Sequence, residues 1–346
     1  MKILSLTLDE LIHQLNTGYG KGRYHAEVLL REVHKNGNPS PLTAPEFIKS
    51  PKLQAALEGQ IQMDPGQVDD VFDEGELTKF ITRLSDGQRI ESVIIPMTRY
   101  NTLCVSSQVG CRMGCKFCQT GQMGLIRNLT VEEIVGQLFN ARHHLKKEIK
   151  NIVFMGMGEP FDNFDTVMQA VAVMTQQKGF DIAPRHITLS TSGLIPGIEK
   201  LATLDLPGIR LAVSINAPDN AIRSQIMPVN QPYPLERLKQ ALLKFPLGPR
   251  GTFMFEYILI KDLNDSEAHA QALADFIHPL PVRLNLIPFN PVPGFDHASP
   301  NDESLNRFAQ ILTDQGVFVI KRWSKGRSVS AGCGQLGRSD ANECSP

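Results

Sequence analysis

The sequence lacks the marks of several large protein classes. Its 346 residues contain no apolar run of about 18 residues, so no membrane-spanning helix is predicted. The N-terminal stretch mixes apolar and charged residues at helical spacing, which indicates an amphipathic helix and argues against a signal peptide. No internal repeat or low-complexity segment occurs. With a net charge of −1, the composition gives no sign of a nucleic-acid partner, so any RNA contact must come from a local patch.

Cysteine is also scarce, and its distribution is informative. Four of the six cysteines lie between positions 104 and 118, which is unlike a secreted disulfide framework, and we expect a cytoplasmic protein. Cys111, Cys115 and Cys118 stand in GCRMGCKFC with the spacing C-x3-C-x2-C. Three thiolates leave one iron of a [4Fe–4S] cluster open, and an open iron can chelate the amine and carboxylate of S-adenosylmethionine (SAM).

Zinc and redox thiols are the alternatives for this triplet. A structural zinc site needs four closed ligands, usually in CxxC pairs, and no second pair or nearby CxxH completes one here. Redox thiols would need no third cysteine at this spacing. The triplet therefore favours the cluster.

The chain divides into three predicted blocks. Residues 1–65 suggest short helices separated by Gly, Asn and Pro, which we interpret as a helical accessory domain. Residues 66–98 carry two β-rich runs around Asp86 and Gly87, the mark of a β-hairpin extension. Residues 99–346 alternate apolar strands with helices, and the helix after Thr130 opens with a capping box to Glu133.

The third block predicts the fold class. Its strands are near-continuous apolar runs, as expected of parallel strands buried on both faces: NTLCVSS, NIVFMGMG, HITLSTSG, IRLAVSIN, FMFEYILI, RLNLIPFN and VFVIKRW. Repeated β-α units indicate an α/β fold with a complete or partial parallel β/α barrel, preceded by the helical domain and the hairpin. Chemistry in such barrels lies at the C-terminal strand ends, and the triplet follows the first barrel strand.

Polar residues at other predicted strand ends are candidate ligand contacts. Gly156, Gly158 and Glu159 in NIVFMGMGEP would let the backbone approach a ligand while a carboxylate accepts from its amino group. Small hydroxyls and amides elsewhere suit SAM carboxylate and ribose: Ser190, Ser192, Ser214, Asn216 and Asn290. Each of these residues alone is equally compatible with a turn or a helix cap.

Two further cysteines and one basic stretch stand out. Cys104 precedes the triplet in LCVSSQVGC, and Cys333 lies in SAGCGQLG, where glycines leave its sulfur accessible, although a lone cysteine is usually a small buried hydrophobe. Cys344, near the C-terminus, we interpret as incidental. The best local RNA patch comprises Lys321, Arg322, Lys325 and Arg327 around Trp323, with Lys21 and Arg23 near the N-terminus. Such stretches are more often a solvated surface.

Taken together, the motifs resemble the RlmN/Cfr group of radical SAM RNA methyltransferases. The resemblance covers about residues 80 to 340, and several long motifs carry it in the same order: LCVSSQVGC, GCKFCQTG, RNLTVEEI, NIVFMGMGEP, TLSTSG, MPVN with YPLE, LIPFNPVPG and GCGQLG. The first 65 residues match only loosely the helical domain that precedes the barrel in that group, and the resemblance implies that this accessory domain binds RNA.

The resemblance implies a role for each cysteine. Cys111, Cys115 and Cys118 would hold the [4Fe–4S] cluster. Cys333 would be methylated by one SAM, and a second SAM would yield the radical that activates this methyl group for addition to adenine. Cys104 would then release the product by forming a disulfide with Cys333. This route suits a ring carbon that is no nucleophile, and it requires a reductant such as a flavodoxin system.

The resemblance also implies roles for other residues. Glu91 in RIESVIIP would handle a proton at the base, although a surface charge on the hairpin is the alternative. SAM binding would involve Gly158, Glu159, Ser190, Ser214, Ile215, Asn216 and Asn290. The chain departs from the group in two places: Asn216 replaces a histidine in SIN, and SVSAGC replaces an acidic stretch before Cys333.

Several functions therefore stay open. The first is methylation of C2 of an adenosine in 23S rRNA, with tRNA as a further substrate, by a monomer that needs no membrane. The second is methylation of C8, and the third is radical SAM methylation of another RNA. A different class is a non-catalytic Fe–S or zinc protein that binds RNA or senses redox state, which would leave Cys104 and Cys333 without a joint purpose.

Overall fold

The N-terminal block is helical, as predicted. The structure is a computed structural model that describes residues 1–248, 251–323, 326 and 328–337. Four helices form first: α1 (Leu8–Tyr19), α2 (Arg23–Leu30), α3 (Pro45–Ile48) and α4 (Pro51–Leu57). Thr7 and Glu10 cap α1 reciprocally, and a π-helical turn over Arg31–Lys35 extends α2.

The second block is a three-stranded antiparallel meander where the sequence predicted a hairpin. Its strands are β1 (Gln67–Glu74), β2 (Leu77–Arg83) and β3 (Arg89–Pro96). The predicted turn at Asp86 and Gly87 joins β2 to β3. The sequence prediction missed β1, because its residues QVDDVFDE are acidic and no residue of the strand is fully buried.

The third block opens with the cysteine loop. After β4 (Asn101–Cys104), a small hairpin of β5 (Gln108–Cys111) and β6 (Gly124–Asn128) encloses α5 (Gln119–Gln122). Helix α6 (Val131–Phe139) follows, with the predicted capping box between Thr130 and Glu133.

Strands and helices then alternate to the end of the described chain. They are β7 (Ile149–Phe154), α7 (Phe164–Met174), β8 (Ile187–Thr191), α8 (Ile195–Ala202), β9 (Arg210–Ser214), α9 (Asn220–Ile226), α10 (Leu235–Lys244), β10 (Phe253–Leu259), α11 (Glu267–Ile277), β11 (Val282–Pro288), α12 (Asp302–Asp314) and β12 (Phe318–Lys321). All seven barrel strands expected from the sequence form. Helices α5, α8 and α9 were not predicted.

Ten of these strands form one continuous sheet. Its order is β1-β2-β3-β4-β7-β8-β9-β10-β11-β12, and the neighbours from β4 onward are parallel. Strand β3 pairs antiparallel with β4, so the meander continues the barrel sheet. Within the described residues β1 and β12 are its two edges, which makes the barrel partial and confirms the predicted α/β fold class.

The parallel register aligns the polar strand ends at one edge of the sheet. Cys104 of β4 pairs with Val153 of β7, and Ser190 of β8 pairs with Ala212 of β9. Glu256 of β10 stands between Ser214 and Asn285. Both faces of the barrel strands are largely buried, so these groups meet inside the protein. No helix of the described chain is long and apolar enough to cross a membrane.

Candidate active site

The three triplet cysteines line a single cavity at the C-terminal strand ends. Cys111 ends β5, and Cys118 caps α5 while its N–H donates to the Cys115 carbonyl at 3.1 Å. Gly110 has φ +74°, and a Cβ there would lie 1.9 Å from the Gly124 oxygen, so only glycine lets the loop hairpin close beside Cys111.

The electrostatics of the free triplet oppose ionisation. Burial is the main cause that raises the pKa of Cys111 to about 12, and repulsion from nearby anions adds to it. A hydrogen bond from the Met113 backbone acts in the opposite direction and lowers this pKa. Burial is also the first cause that raises the pKa of Cys115 and Cys118, and the other triplet thiolates raise that of Cys115 further. A bound cation reverses this balance, because a coordinated thiol loses its proton.

The donor set fits an iron–sulfur cluster. Thiolates are the ligands of such clusters, and three of them leave one iron available to SAM. Within the described residues no group of three or more His, Cys, Asp or Glu side chains gathers closely enough to hold one metal ion. A cluster does not require such convergence, because each cysteine binds a different iron.

Glu159 lies beside the triplet with its carboxylate already oriented. Its Oε2 accepts from the Ser192 N–H at 2.7 Å and from the Ser192 hydroxyl at 2.8 Å, and its Oε1 accepts from the Phe161 N–H at 3.1 Å. Burial raises the pKa of Glu159, whereas the Ser192 hydrogen bonds lower it. Because each carboxylate oxygen has further lone pairs, Glu159 can also accept from an ammonium group in the cavity.

Two glycines bring the β7 end against the β4 loop. A Cβ on Gly156 would lie 2.7 Å from the Val105 backbone, and one on Gly158, which has φ +99°, would lie 2.6 Å from the Gln108 side chain. The Gly156 N–H donates to the Val105 carbonyl at 3.1 Å. Any larger residue would push the two walls of the cavity apart.

The other predicted SAM contacts divide into two groups. Ser190, Ser214 and Asn216 line the cavity, and Asn216 is oriented by the Ile258 N–H, which donates to its Oδ1 at 2.9 Å. Ile215 and Asn290 do not line it. Ile215 is fully buried and donates its N–H to the Glu256 carbonyl at 3.0 Å. The Nδ2 of Asn290 donates to the Cys333 carbonyl at 3.1 Å, so this residue holds the Cys333 segment.

Cys104 and Cys333 lie close together although 228 residues separate them in the sequence. Cys104 ends β4 and is nearly buried, whereas Cys333 is exposed to the cavity that it lines. Burial, followed by the charge of the Cys333 thiolate, raises the pKa of Cys104 to about 12. The protein atoms around the cavity desolvate the Cys333 sulfur and so raise the pKa of Cys333, whereas the Arg322 charge lowers it.

The Cys333 segment is anchored from both sides. On one side, the Gln119 N–H donates to the Gly334 carbonyl at 2.7 Å, and the Thr120 hydroxyl donates to the Leu336 carbonyl at 2.6 Å. On the other side, Glu74 of β1 accepts from the N–H groups of Gly326 at 2.7 Å and Ser328 at 2.9 Å and from the Ser328 hydroxyl. The meander and the cysteine loop thus hold this segment between them.

Glu91 is buried, so its interpretation as a surface charge on the hairpin is wrong. Its Oε2 pairs with the Lys79 ammonium at 3.3 Å, and both side chains are more than nine-tenths buried. Lys79 also donates to the Ser330 carbonyl at 3.4 Å, which links Glu91 to the Cys333 segment. Glu91 itself does not line the cavity.

Two charged residues of the site were missed by sequence reasoning. Arg223 on α9 is fully buried, and its guanidinium donates to the carbonyls of Ser192 at 2.6 Å and Ile215 at 3.1 Å. Burial lowers the pKa of Arg223 to about 10, although the nearby Cys115 thiolate raises it. No sequence signal marked this arginine, because the short helix around it is polar.

The second missed residue is Glu256, which lines the cavity near Cys333. Its Oε1 accepts from the Asn285 amide at 2.7 Å, and burial raises the pKa of Glu256 to about 7. A sequence signal did exist, because a charge interrupts the apolar strand FMFEYILI.

The predicted RNA patch is only partly described. Arg322 and Trp323 are exposed, and the Arg322 charge is close enough to lower the pKa of both Cys104 and Cys333. Lys321 donates to Asn306 at 2.7 Å. Lys21 and Arg23 are exposed in the accessory block, and Lys325, Arg327 and Cys344 lie outside the described residues.

Comparisons with known proteins find radical SAM enzymes similar to this chain. Residues 105–271 match the model of the radical SAM superfamily, whose chemistry implies a [4Fe–4S] cluster and SAM. A curated relative from Protochlamydia amoebophila, named probable dual-specificity RNA methyltransferase RlmN 1, is 40% identical over 100% of this chain and 96% of its own length. The dual-specificity RNA methyltransferase RlmN of Syntrophotalea carbinolica is 40% identical over 96% of this chain and 88% of its own.

A solved structure supports the same assignment. The crystal structure of a radical SAM methyltransferase from Sphaerobacter thermophilus is 37% identical and superposes with a TM-score of 0.90 over 98% of this chain and 100% of its own. These similarities extend over nearly the whole length of both partners. The chain therefore belongs to the RlmN family of radical SAM RNA methyltransferases.

Proposed function

We propose that this RlmN-type enzyme methylates C2 of an adenosine in 23S rRNA and in tRNA, with Cys333 as the methyl carrier and Cys104 as the resolving thiol. The observation that carries the proposal is that Cys333 lines the cavity of the triplet and lies near enough to Cys104 for the charge of its thiolate to raise the pKa of Cys104. The relatives are named dual-specificity RNA methyltransferases, which supports two kinds of RNA substrate.

Each residue has a task in this proposal. Cys111, Cys115 and Cys118 hold the cluster, and Glu159 with the strand-end serines and Asn216 holds SAM. When bound, the reduced cluster and SAM supply a one-electron cleavage that yields a carbon radical, and two SAM molecules are used per turnover. Cys333, anchored through Asn290, presents its sulfur to that cavity.

Release of the product is the task of Cys104. Its thiolate attacks the Cys333 sulfur, an S–S bond forms, the bond from sulfur to the transferred carbon breaks, and that carbon takes the electron pair and a proton. The disulfide must then accept two electrons from an external reductant such as a flavodoxin system. Glu91, tied through Lys79 to the Cys333 segment, is the proposed proton-handling residue.

Mass spectrometry of digested rRNA and tRNA from a knockout strain and its parent tests the proposal. We expect 2-methyladenosine to be absent only in the knockout. Loss of 8-methyladenosine in its place would assign the C8 reaction, and no change in either would contradict the proposed substrate.

Cysteine variants test the chemistry separately. Cys333→Ala should abolish methylation, and Cys104→Ala should accumulate an RNA–protein adduct, because the carbon on Cys333 cannot leave its sulfur. Cys344→Ala is the matched control and should keep full activity. Turnover by Cys104→Ala at the wild-type rate would overturn the covalent route, and methylation by Cys333→Ala would show that Cys333 is not the methyl carrier. Absence of methylation by the wild type itself would favour the non-catalytic binding class.

A further inference from the structure

A cleft lined by cations lies where the accessory block meets the barrel. We name it the basic cleft and define it by six side chains: Lys35, Arg142, Lys146, Lys147, Lys150 and Arg185. Only two carboxylates, Glu148 and Asp181, line it with them. The cleft therefore carries a net charge of +4 on a chain whose net charge is −1.

The charges of the basic cleft are not neutralised by ion pairs. None of its six cations takes part in an ion pair among the described residues. Two of the cations contact the fold: the Arg142 guanidinium donates to the carbonyls of Phe180 at 2.6 Å and Ile149 at 2.8 Å, and the Lys150 ammonium lies 5.3 Å from the centroid of the Tyr100 ring. Lys35, Lys146, Lys150 and Arg185 are exposed.

A histidine in the cleft reports the local potential. His186 also lines the basic cleft, and its Nδ1–H donates to the Asn151 Oδ1 at 2.7 Å. Burial lowers the pKa of His186, and the charges of Arg185, Lys150 and Arg210 lower it further. The positive charges of neighbouring segments therefore add up at the His186 ring.

The cleft lies at the opposite end of the barrel from the candidate active site. Ile149 and Lys150 begin β7, and Arg185 precedes β8, so the cleft is at the N-terminal strand ends. The triplet cavity is at the C-terminal ends. Strand β7 has six residues, which separates the two places by about 20 Å.

We propose that the basic cleft binds the phosphate backbone of the RNA substrate at a point remote from the target adenosine. The proposal rests on the RNA substrate proposed above. Clustered unpaired lysine and arginine on one concave surface are the electrostatic footprint of a polyanion, and phosphate contacts position a nucleic acid without reading its sequence. Since the cleft includes Lys35 of the accessory block and lysines of the barrel, one RNA strand can bridge both.

The test compares a long and a short RNA with a charge-reversal variant. The variant is Lys146→Glu/Arg185→Glu, whose side chains are exposed and make no hydrogen bond to the part of the chain that the structure describes. The probes are a domain-length 23S rRNA transcript and a stem-loop of about 10 nucleotides with the same adenosine, whose stem of about three base pairs is shorter than the separation of about 20 Å between the cleft and the cavity. We expect binding of the long RNA to weaken about tenfold, and the salt slope of log K to fall by about 2.

The stem-loop should bind and be methylated as by the wild type. The matched control Arg237→Glu/Lys244→Glu reverses two exposed charges on α10 and should leave both RNAs unaffected. Lys35→Glu, which reverses one charge, should lower the salt slope for the long RNA by about half as much. The charge-conserving variant Lys146→Arg/Arg185→Lys should bind the long RNA as the wild type does.

Three outcomes would overturn the proposal. The cleft variant could bind the long RNA with unchanged affinity and salt slope, or the α10 control could lose as much affinity as the cleft variant. The cleft variant could also bind RNA normally but no longer bind an acidic protein such as flavodoxin. Failure of the proposed function is distinguishable, because in that case the wild type itself would not methylate the stem-loop.

Discussion

At the residue scale, the candidate site consists of buried polar groups that neighbouring strands hold in place. Arg223 joins carbonyls from the ends of β8 and β9, and Glu159 receives both donors of Ser192. Removing one partner from such a set leaves the others buried without a hydrogen bond, which costs about 1–3 kcal/mol per group. The cavity walls are therefore fixed before any ligand binds.

Glu256 should make the stability of the protein depend on pH. The unfolded carboxyl titrates near its ordinary value of 4.5, whereas burial raises the pKa of the folded group to about 7. Between these values the unfolded chain releases a proton that the folded protein keeps, so stability is present below pH 4.5 and is lost as the pH rises to 7. The loss amounts to about 3 kcal/mol.

Glu256→Gln should remove that loss while keeping the contact with Asn285. Urea unfolding of the cluster-free protein at pH 4.5 and pH 8 measures it, and the variant should gain stability relative to the wild type at pH 8. Glu303→Gln, an exposed position on α12, is the control. Parallel pH profiles of wild type and Glu256→Gln would contradict the assignment.

At the element scale, the meander holds the Cys333 segment in place through hydrogen bonds. Glu74 is the last residue of β1 and accepts three hydrogen bonds from Gly326 and Ser328. Hydrogen bonding to these donors lowers the pKa of Glu74, so its carboxylate is ionised and accepts all three hydrogen bonds at neutral pH. Lys79 of β2 adds a second contact at Ser330.

Glu74→Ala should loosen this segment without disturbing the cluster loop. We expect Cys333 to react with iodoacetamide about tenfold faster, because three hydrogen bonds that oppose local opening are lost. Methylation should slow, while iron and sulfide content stay at wild-type values. Site-resolved mass spectrometry measures the alkylation, with Cys104 as the internal reference and Glu76→Ala in the next turn as control. An unchanged rate at Cys333 would mean that Glu74 does not hold the segment.

The same element shows what sequence reasoning can and cannot predict. The barrel strands follow from their apolar runs, and the helix after Thr130 follows from its capping box, because both signals are local. Strand β1 has no such signal, since it is an acidic edge strand that pairs only with β2. The hydrogen bonds by which Glu74 of this strand holds the Cys333 segment involve residues about 250 positions away, and no local sequence pattern encodes them.

The candidate site divides in a similar way. Motif spacing placed the triplet, Glu159 and the strand-end serines near one another, and the structure brings them to one cavity. The burial of Arg223 and Glu91 could not be predicted, because the partners that compensate each charge come from other segments. The roles assigned to these residues stay predictions, as do the block boundaries at 65 and 98.

At the scale of the whole molecule, His34 joins the accessory block to the barrel. Its ring stacks on Phe180 with centroids 4.7 Å apart, and its Nε2 lies 3.1 Å from the Ile3 carbonyl. The His34 carbonyl in turn contacts the His143 ring at 3.0 Å. Full burial, despite the contact with Ile3, lowers the pKa of His34 to about 4, so the folded protein keeps this histidine neutral.

The linkage of His34 opposes that of Glu256. Below pH 6.5 the unfolded histidine binds a proton, whereas the folded one stays neutral down to about pH 4. The contribution of His34 to the free energy of unfolding is therefore complete above pH 6.5 and is lost as the pH falls toward 4. The two groups titrate over nearly the same interval with opposite sign. The wild type should therefore show a flatter stability profile than either single variant.

His34→Gln is the decisive variant for the joint between the blocks. The glutamine can still donate to the Ile3 carbonyl but cannot titrate, so the loss of about 2 kcal/mol between pH 7.5 and pH 5 should disappear. Urea unfolding at the two pH values measures the change in slope, which is separate from any uniform loss caused by the missing stack on Phe180. His13→Gln, an exposed position on α1, should keep the wild-type slope. Should His34→Gln also keep it, the joint would not depend on a neutral histidine, and the flat wild-type profile would need a different pair of opposing groups.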